Sequence, residues 1–191
     1  GLFSAIGFLV LINWGIWRQF QLTKLGFLEV DGSAVVTQLT PDKAKVIGPK
    51  EVLEQQKQMK FFTYRYLWRN GLSKADIIKK PLIADSAELA KKQHKTIADR
   101  LLTFNGERIL IGDKSVDWPK EPKCSLKVDK LLLMHVGELS PGYVKKHLQV
   151  REIILGTGLP PWEVKKWRNA FFDTHTKCHA MHLDGALVEN L

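Results

Sequence analysis

His175, Cys178, His179 and His182 stand in a His-x2-Cys-His-x2-His spacing, and imidazole and thiolate are donors that zinc prefers. Backbone geometry limits what they can do together. If residues 177–183 run as a strand, Cys178 and His182 face one side and His179 the other, so at most two ligands converge locally. A complete site then needs a distant donor such as His135. Surface histidines and a buried thiol are the competing reading. The sequence holds no Walker loop, dinucleotide fingerprint, Gly-x-Ser-x-Gly elbow or pair of catalytic carboxylates. His94 and His147 lie in Lys-rich polar surroundings and read as solvated. The remaining chemistry is cationic. Lys79-Lys80, Lys91-Lys92, Lys145-Lys146 and Lys165-Lys166 are adjacent pairs in a chain of formal net charge +9. That balance favours a polyanionic neighbour, nucleic acid or anionic lipid headgroups, although each pair also suits a solvated face.

The elements that position these residues begin with an apolar segment. Residues 1–17 carry no charge and end abruptly at Arg18-Gln19. At a helical rise of about 1.5 Å they span roughly 25 Å, slightly short of a hydrocarbon core of about 30 Å. They read as the end of a transmembrane helix, with Trp14 and Trp17 placed for an interfacial belt. A secretory signal needs a basic start and a small-residue cleavage site, and neither is present. A buried core helix is the alternative. Residues 18–191 suffice for one α/β domain. Its two cysteines, Cys124 and Cys178, lack CxxC spacing and either pair in an oxidising compartment or sit as small buried hydrophobes.

Leu22 to Val30 and Ala34 to Leu39 flank Asp31-Gly32-Ser33 as two strands of a hairpin. Lys45-Val46-Ile47 forms a short third strand. A helix with Pro49 at its first position then runs to about Asn70, with Val52, Met59 and Tyr66 recurring on its apolar side. Residues 72–95 are polar, Lys-rich and unreadable. Leu101 to Phe104, Asn105-Gly106 and Glu107 to Ile111 form the sharpest hairpin signal in the chain. Strand and helix then alternate: Val128 to Met134 and Arg151 to Leu155 as parallel strands, Ser140 to Leu148 and Pro160 to Thr174 as helices. On the second of these helices Val164, Trp167 and Phe171 form a core stripe. Residues 178–183 and 186–191 close the chain as a last hairpin or kinked strand.

That order, with Asn105-Gly106-Glu107-Arg108-Ile109-Leu110-Ile111-Gly112-Asp113, Lys127-Val128-Asp129-Lys130-Leu131-Leu132-Leu133-Met134-His135, a Gly-rich turn into Pro160-Pro161-Trp162-Glu163-Val164-Lys165-Lys166-Trp167, and Leu183-Asp184-Gly185-Ala186-Leu187-Val188-Glu189-Asn190, resembles the C-terminal region of ComEC-type competence proteins, the inner-membrane channels for DNA uptake. The resemblance covers most of residues 97–191. It implies a metallo-β-lactamase-like αββα sandwich, partial here and preceded by the end of a transmembrane helix. Residues 1–17 are then the tail of the channel and residues 18–191 the metallo-β-lactamase-like domain. Many members carry a metal-binding His-x-His-x-Asp-His loop after the strand matched by Leu131 to Met134, and a metallonuclease role is inferred for them. Here the loop reads His135-Val136-Gly137-Glu138-Leu139-Ser140. Only its first position matches, and Gly137, Leu139 and Ser140 cannot rebuild a two-metal site. The turn Gly156-Thr157-Gly158-Leu159 offers no ligand either.

The reading that follows is a non-catalytic C-terminal domain of a membrane DNA-uptake channel, without cofactor or metal. Its partners are single-stranded DNA, the channel domain of the same polypeptide and the membrane. Lys145, Lys146, Lys165, Lys166 and Arg168, all on the two late helices, are the candidate DNA-binding residues, acting through phosphates without reading bases. The alternatives are a metal-dependent nuclease or hydrolase rebuilt around His135, His179 and His182, and a membrane-anchored structural module without a DNA role. The resemblance places the domain on the outer, periplasmic side of the inner membrane, whereas Arg18 and Lys24 favour a cytoplasmic exit.

Overall fold

The computed structural model describes residues 23–30, 33–48, 50–55, 57, 59–70, 72, 77–81, 97–113, 116–120, 122, 125–137 and 139–190. Strands β1 (Lys24–Val30), β2 (Ser33–Leu39) and β3 (Ala44–Gly48) form an antiparallel meander. β4 (Ile77–Pro81) joins β3 in parallel, at an edge where Pro81 costs no ladder bond inside the sheet. A second sheet holds β5 (Leu101–Phe104), β6 (Glu107–Gly112), β7 (Leu126–Leu133), β8 (Leu148–Leu155) and β9 (Lys177–Ala180). Its β6 to β9 are mutually parallel, and β5 pairs antiparallel with β6. The β5–β6 turn is the expected one, with Asn105 at φ 48° and Gly106 at φ 84°. Positive φ at both central residues gives the turn twist that suits a hairpin, and Asn and Gly tolerate it best.

Between β7 and β8 lies α3 (Pro141–His147), and between β8 and β9 lies α4 (Pro161–Phe171). Ser140 starts α3 by accepting the Tyr143 amide hydrogen, and Pro141 takes a first-turn position where its missing N–H costs nothing. Tyr143 anchors that helix outward, its hydroxyl donating to the Pro119 carbonyl at 2.8 Å and its ring meeting Trp118 edge-on. On the other sheet lie α1 (Lys50–Glu54), a π-helical stretch (Met59–Tyr64) and α2 (Arg65–Arg69). The single helix expected over 49–70 is thus broken. The π turn inserts one extra residue, so the side chain that α2 buries in the core is Leu67, while the heptad partner Tyr66 is only partly buried.

Three hydrophobic clusters define the layers. Val128, Leu131, Leu133, Ile153 and Leu155 face Val144, Val164, Trp167 and Phe171 of the helices. Ile109, Ile111, Leu132 and Ile154 face Leu25, Phe27, Val36 and Ile47 of the other sheet. Val35, Val46 and Leu39 face Val52, Met59, Tyr64 and Leu67. The order is helix, sheet, sheet, helix. Trp167 is the largest fully buried side chain among the described residues and stacks on Phe171 with centroids 6.0 Å apart.

The chain end departs from expectation most. Residues 178–183 are not one strand. β9 stops at Ala180, a short helix α5 (Met181–Asp184) follows, and the Gly185 backbone at φ 82° turns the chain across to β10 (Leu187–Asn190). β10 pairs with β1 in the opposite sheet, so the last two strands are not a hairpin. The Ala180 amide donates to the Asp184 carboxylate at 2.8 Å, which favours helix over continued strand at that point.

This crossover completes a buried ion cluster. Lys130 of β7 is fully buried on the inter-sheet side, with its ammonium 2.7 Å from Glu152 of β8, 2.5 Å from Glu189 of β10 and 4.0 Å from Glu107 of β6. Arg151 pairs with the other oxygen of Glu107 from outside. Burial pulls the Lys130 ammonium toward neutrality, but its hydrogen bonds to Glu152 and Glu189 outweigh that and hold its pKa above the usual lysine value. For Glu189 burial acts upward, and the Lys130 hydrogen bond and charge prevail and lower its pKa.

Trp167→Ala will destabilise the fold by about 3–5 kcal/mol. Trp167→Phe will cost far less, because the indole N–H has no partner among the described residues; thermal or denaturant unfolding reads both. Lys130→Met will cost about 3–5 kcal/mol by stranding buried carboxylates. Because Glu189 has a lowered folded-state pKa, its contribution is full above the ordinary carboxylate value of about 4.3 and fades as pH falls through the folded value. Stability measured from pH 7 to pH 3 will therefore fall less in Glu189→Gln than in the parent.

Candidate functional site

Parallel strands place the residues of greatest interest at their C-terminal ends, where the chain leaves the sheet into loops. His135 lies just beyond β7 and is half buried. Its neighbours are tightly packed. The Met134 amide donates to the Gly112 carbonyl at 3.0 Å and the Gly156 amide to the Leu133 carbonyl at 2.8 Å. A Cβ at Gly156 would lie 2.8 Å from the Met134 sulfur and 3.1 Å from the Leu133 carbonyl oxygen, so only glycine lets β8 turn so close to β7. Among the described residues of the loop after His135, Gly137 sits at φ 50°, Leu139 is a buried member of the helix-side core, and Ser140 caps α3. Gly137, Leu139 and Ser140 do not fit a pair of catalytic metal ions, since none supplies an imidazole or carboxylate and two are used for packing and capping.

The histidine-rich segment is dispersed. His175 is exposed in the turn before β9. Cys178 packs against the helix-side core as a free thiol, and burial pushes its pKa up to about 11. Cys124 lies outside the described residues. His179 points the other way, with its Nε2 2.8 Å from the Gly185 carbonyl oxygen. The expectation that Cys178 and His182 share a strand face is corrected, because His182 belongs to α5, not to β9. It is exposed and lines a cavity of about 310 Å³ with Lys165 and Arg168. Among the described residues no three His, Cys, Asp or Glu side chains form a metal-ligating group. His135, His179 and His182 are not brought together.

The cationic candidates all lie on the helix layer outside the second sheet, on different flanks. Lys145 and Lys146 close the last turn of α3, where positive charge also complements the helix dipole. The Lys145 ammonium sits 5.3 Å from the centre of the Phe171 ring, a cation–π contact that ties α3 to α4. It helps to line a cavity of about 620 Å³, together with Lys127, Asp129, Arg151 and Thr176, at the N-terminal ends of β7 and β8. Lys166 lies 3.2 Å from Glu163 on one flank of α4. Lys165 and Arg168 occupy the other flank, toward α5, with Arg168 3.3 Å from Asp184. Half-exposed pairs of this kind bind weakly enough that a phosphate can compete for the cation.

The strand expected over Val128 to Met134 gives Lys130 no role of its own. Its signal is an Asp129-Lys130 pair set between Val128 and Leu131-Leu132-Leu133 in a strand whose parallel neighbours each carry a glutamate. The exposed aromatics of α4, Trp162 and Phe172, were missed as well.

The apolar segment 1–17 lies outside the described residues, and among those described no helix is long and apolar enough to cross a membrane. Neither a curated protein nor a solved structure matches the chain. The ComEC C-terminal domain family matches residues 25–191, from β1 through β10, so the two sheets and their helices coincide with the matched region. The chain therefore belongs to the ComEC C-terminal domain family, whose members are tied to competence and DNA uptake.

Proposed function

We propose that this chain is a non-catalytic, metallo-β-lactamase-like C-terminal domain of a membrane DNA-uptake channel, which contacts single-stranded DNA or the channel mouth through its late helices. The family match over residues 25–191 carries the reading. Two observations support its finer parts. The layer order of helix, sheet, sheet, helix agrees with a metallo-β-lactamase-like sandwich. At the loop where that family's ligands belong, Leu139 and Ser140 are spent on core packing and helix capping.

On this reading Lys145, Lys146, Lys165, Lys166 and Arg168 hold phosphates on the outer surface of α3 and α4, with an affinity that falls as salt rises. The chain sits at the inner membrane, held by the segment at residues 1–17, with the domain on the periplasmic side beside the channel domain.

Titration of labelled single-stranded DNA against the full chain at several salt concentrations will test it. Weak binding without sequence preference is expected in low salt. Changing Lys145, Lys146, Lys165 and Lys166 together to Gln will lower the affinity and reduce the salt slope by about 0.7 for each phosphate that is no longer neutralised. Unchanged binding in the fourfold variant would take these helices out of the DNA path and favour a structural module. The purified chain will carry no stoichiometric zinc or manganese and will leave DNA uncut. One or more ions per chain, with cleavage abolished by His135→Ala, would instead establish the metal-dependent nuclease.

A further inference from the structure

Helix α4 has two faces with the same periodicity. Val164, Trp167 and Phe171, at i, i+3 and i+7, are buried against the second sheet. Trp162, Lys165, Asn169 and Phe172, at i, i+3, i+7 and i+10, are all exposed. At about 100° per residue these four fall within an arc of about 80° on the outer surface. Phe172 continues the helical backbone, with φ −56° and ψ −45°. Trp162 is 65% and Phe172 83% exposed, in a chain whose Trp167 and Phe171 are shielded by the same helix. Large aromatics left in water at both ends of one stripe call for a partner, since burying either removes a large apolar surface from solvent.

The spacing and chemistry of the stripe decide among partners. Ten residues of helix separate the two aromatics by about 15 Å, the reach of two to three nucleotides of an extended strand. Between them stand a cation, Lys165, and an amide, Asn169, with Arg168 alongside, so the order along the stripe is ring, charge, hydrogen-bonding group, ring. Proteins that hold single strands combine aromatic platforms for bases with cations for the backbone in this way. A face that lies in a membrane would instead present contiguous apolar residues, and here the centre of the stripe is polar. Opposing charge is present, in Asp184 beside Arg168 and in exposed Asp173 past the helix end, so phosphate attraction alone is modest on this face. Stacking supplies what charge does not.

We infer that Trp162 and Phe172 are base-stacking platforms for single-stranded DNA, with Lys165 and Arg168 holding the phosphates between them. This rests on the DNA-contact reading above and adds a base-dependent component to it. The bases are held by their faces, which every base has, so the site discriminates single strand from duplex and not one sequence from another.

The test measures anisotropy of labelled oligothymidylate, of an abasic deoxyribose-phosphate strand of equal length and of a duplex, each with the full parental chain. Oligothymidylate will bind more tightly than the other two. Trp162→Ala and Phe172→Ala will each weaken oligothymidylate binding by about 5- to 150-fold and leave the salt slope unchanged, since no counterion is released by a ring. Both variants will keep the parental melting temperature, and Trp162→Phe will retain most of the affinity. Equal binding of abasic and thymidylate strands by the parent, or alanine variants that bind like the parent, would overturn the platforms while leaving phosphate contact standing. Failure of the parental chain to bind any strand in low salt would overturn both. Alanine variants that lose binding to anionic phosphatidylglycerol vesicles while keeping thymidylate binding would reassign the face to a membrane surface.

Discussion

Everything at the inter-sheet end of this fold turns on one lysine. Lys130 enters the space between two apolar sheets, and an ammonium there is tolerable only if carboxylates surround it. Three do: Glu107 and Glu152 from the strands on either side in its own sheet, and Glu189 from the strand that closes the opposite one. The two in-sheet partners come from register. Ile109, Lys130 and Glu152 lie in one row across β6, β7 and β8, and Glu107 precedes that row by two residues on the same face. Glu189 comes only from the crossover of the final strand. The cluster thus couples docking of the chain end to satisfaction of a buried charge, which makes β10 more than a fringe of the first sheet.

The rest of the architecture is built from apolar alternation around that cluster. On β7 and β8, Leu131, Leu133, Ile153 and Leu155 serve the helices, while Leu132 and Ile154 serve the opposing sheet. Val128 and Leu131 both face the helices although they are three residues apart, as do Val150 and Ile153. Alternation therefore slips once in each strand, across Asp129-Lys130 and across Arg151-Glu152, where charge enters the sheet. Asp129 is used in turn, accepting the Arg108 amide hydrogen at 2.8 Å.

Helix α4 shows how one element joins stability to the proposed function. Trp167 and Phe171 fix it to the sheet, and that rigidity sets the spacing of Trp162, Lys165, Asn169 and Phe172 on the opposite side. A stripe on a packed helix keeps its ring-to-ring distance without further ordering cost, which a loop of the same composition does not. The C-terminal ends of β6 to β8 offer the contrast. There the glycine turns and the Met134 thioether bring backbone and side chains into close contact, and among the described residues His135 belongs to no group of three metal-ligating side chains.

Local signals in the sequence determined the elements whose causes are local. Asn105-Gly106 specified a turn with positive φ, Ser140-Pro141 a helix start, and the Val164-Trp167-Phe171 spacing a buried helix face, and each is found where residue chemistry alone places it. Tertiary structure decided whatever depends on residues distant in the chain. The π turn that makes Leu67 the buried residue of α2 answers to the core it must fill, and the crossing of the last strand to pair with β1 answers to the sheet it completes. Partnership between Lys130 and Glu189, 59 positions apart in a chain of 191, follows from sheet pairing and has no local signature. For the same reason the exposure of Trp162 and Phe172 was hidden: an aromatic on a helix is core or surface according to what packs against it, and periodicity alone describes two stripes without saying which one the sheet will cover.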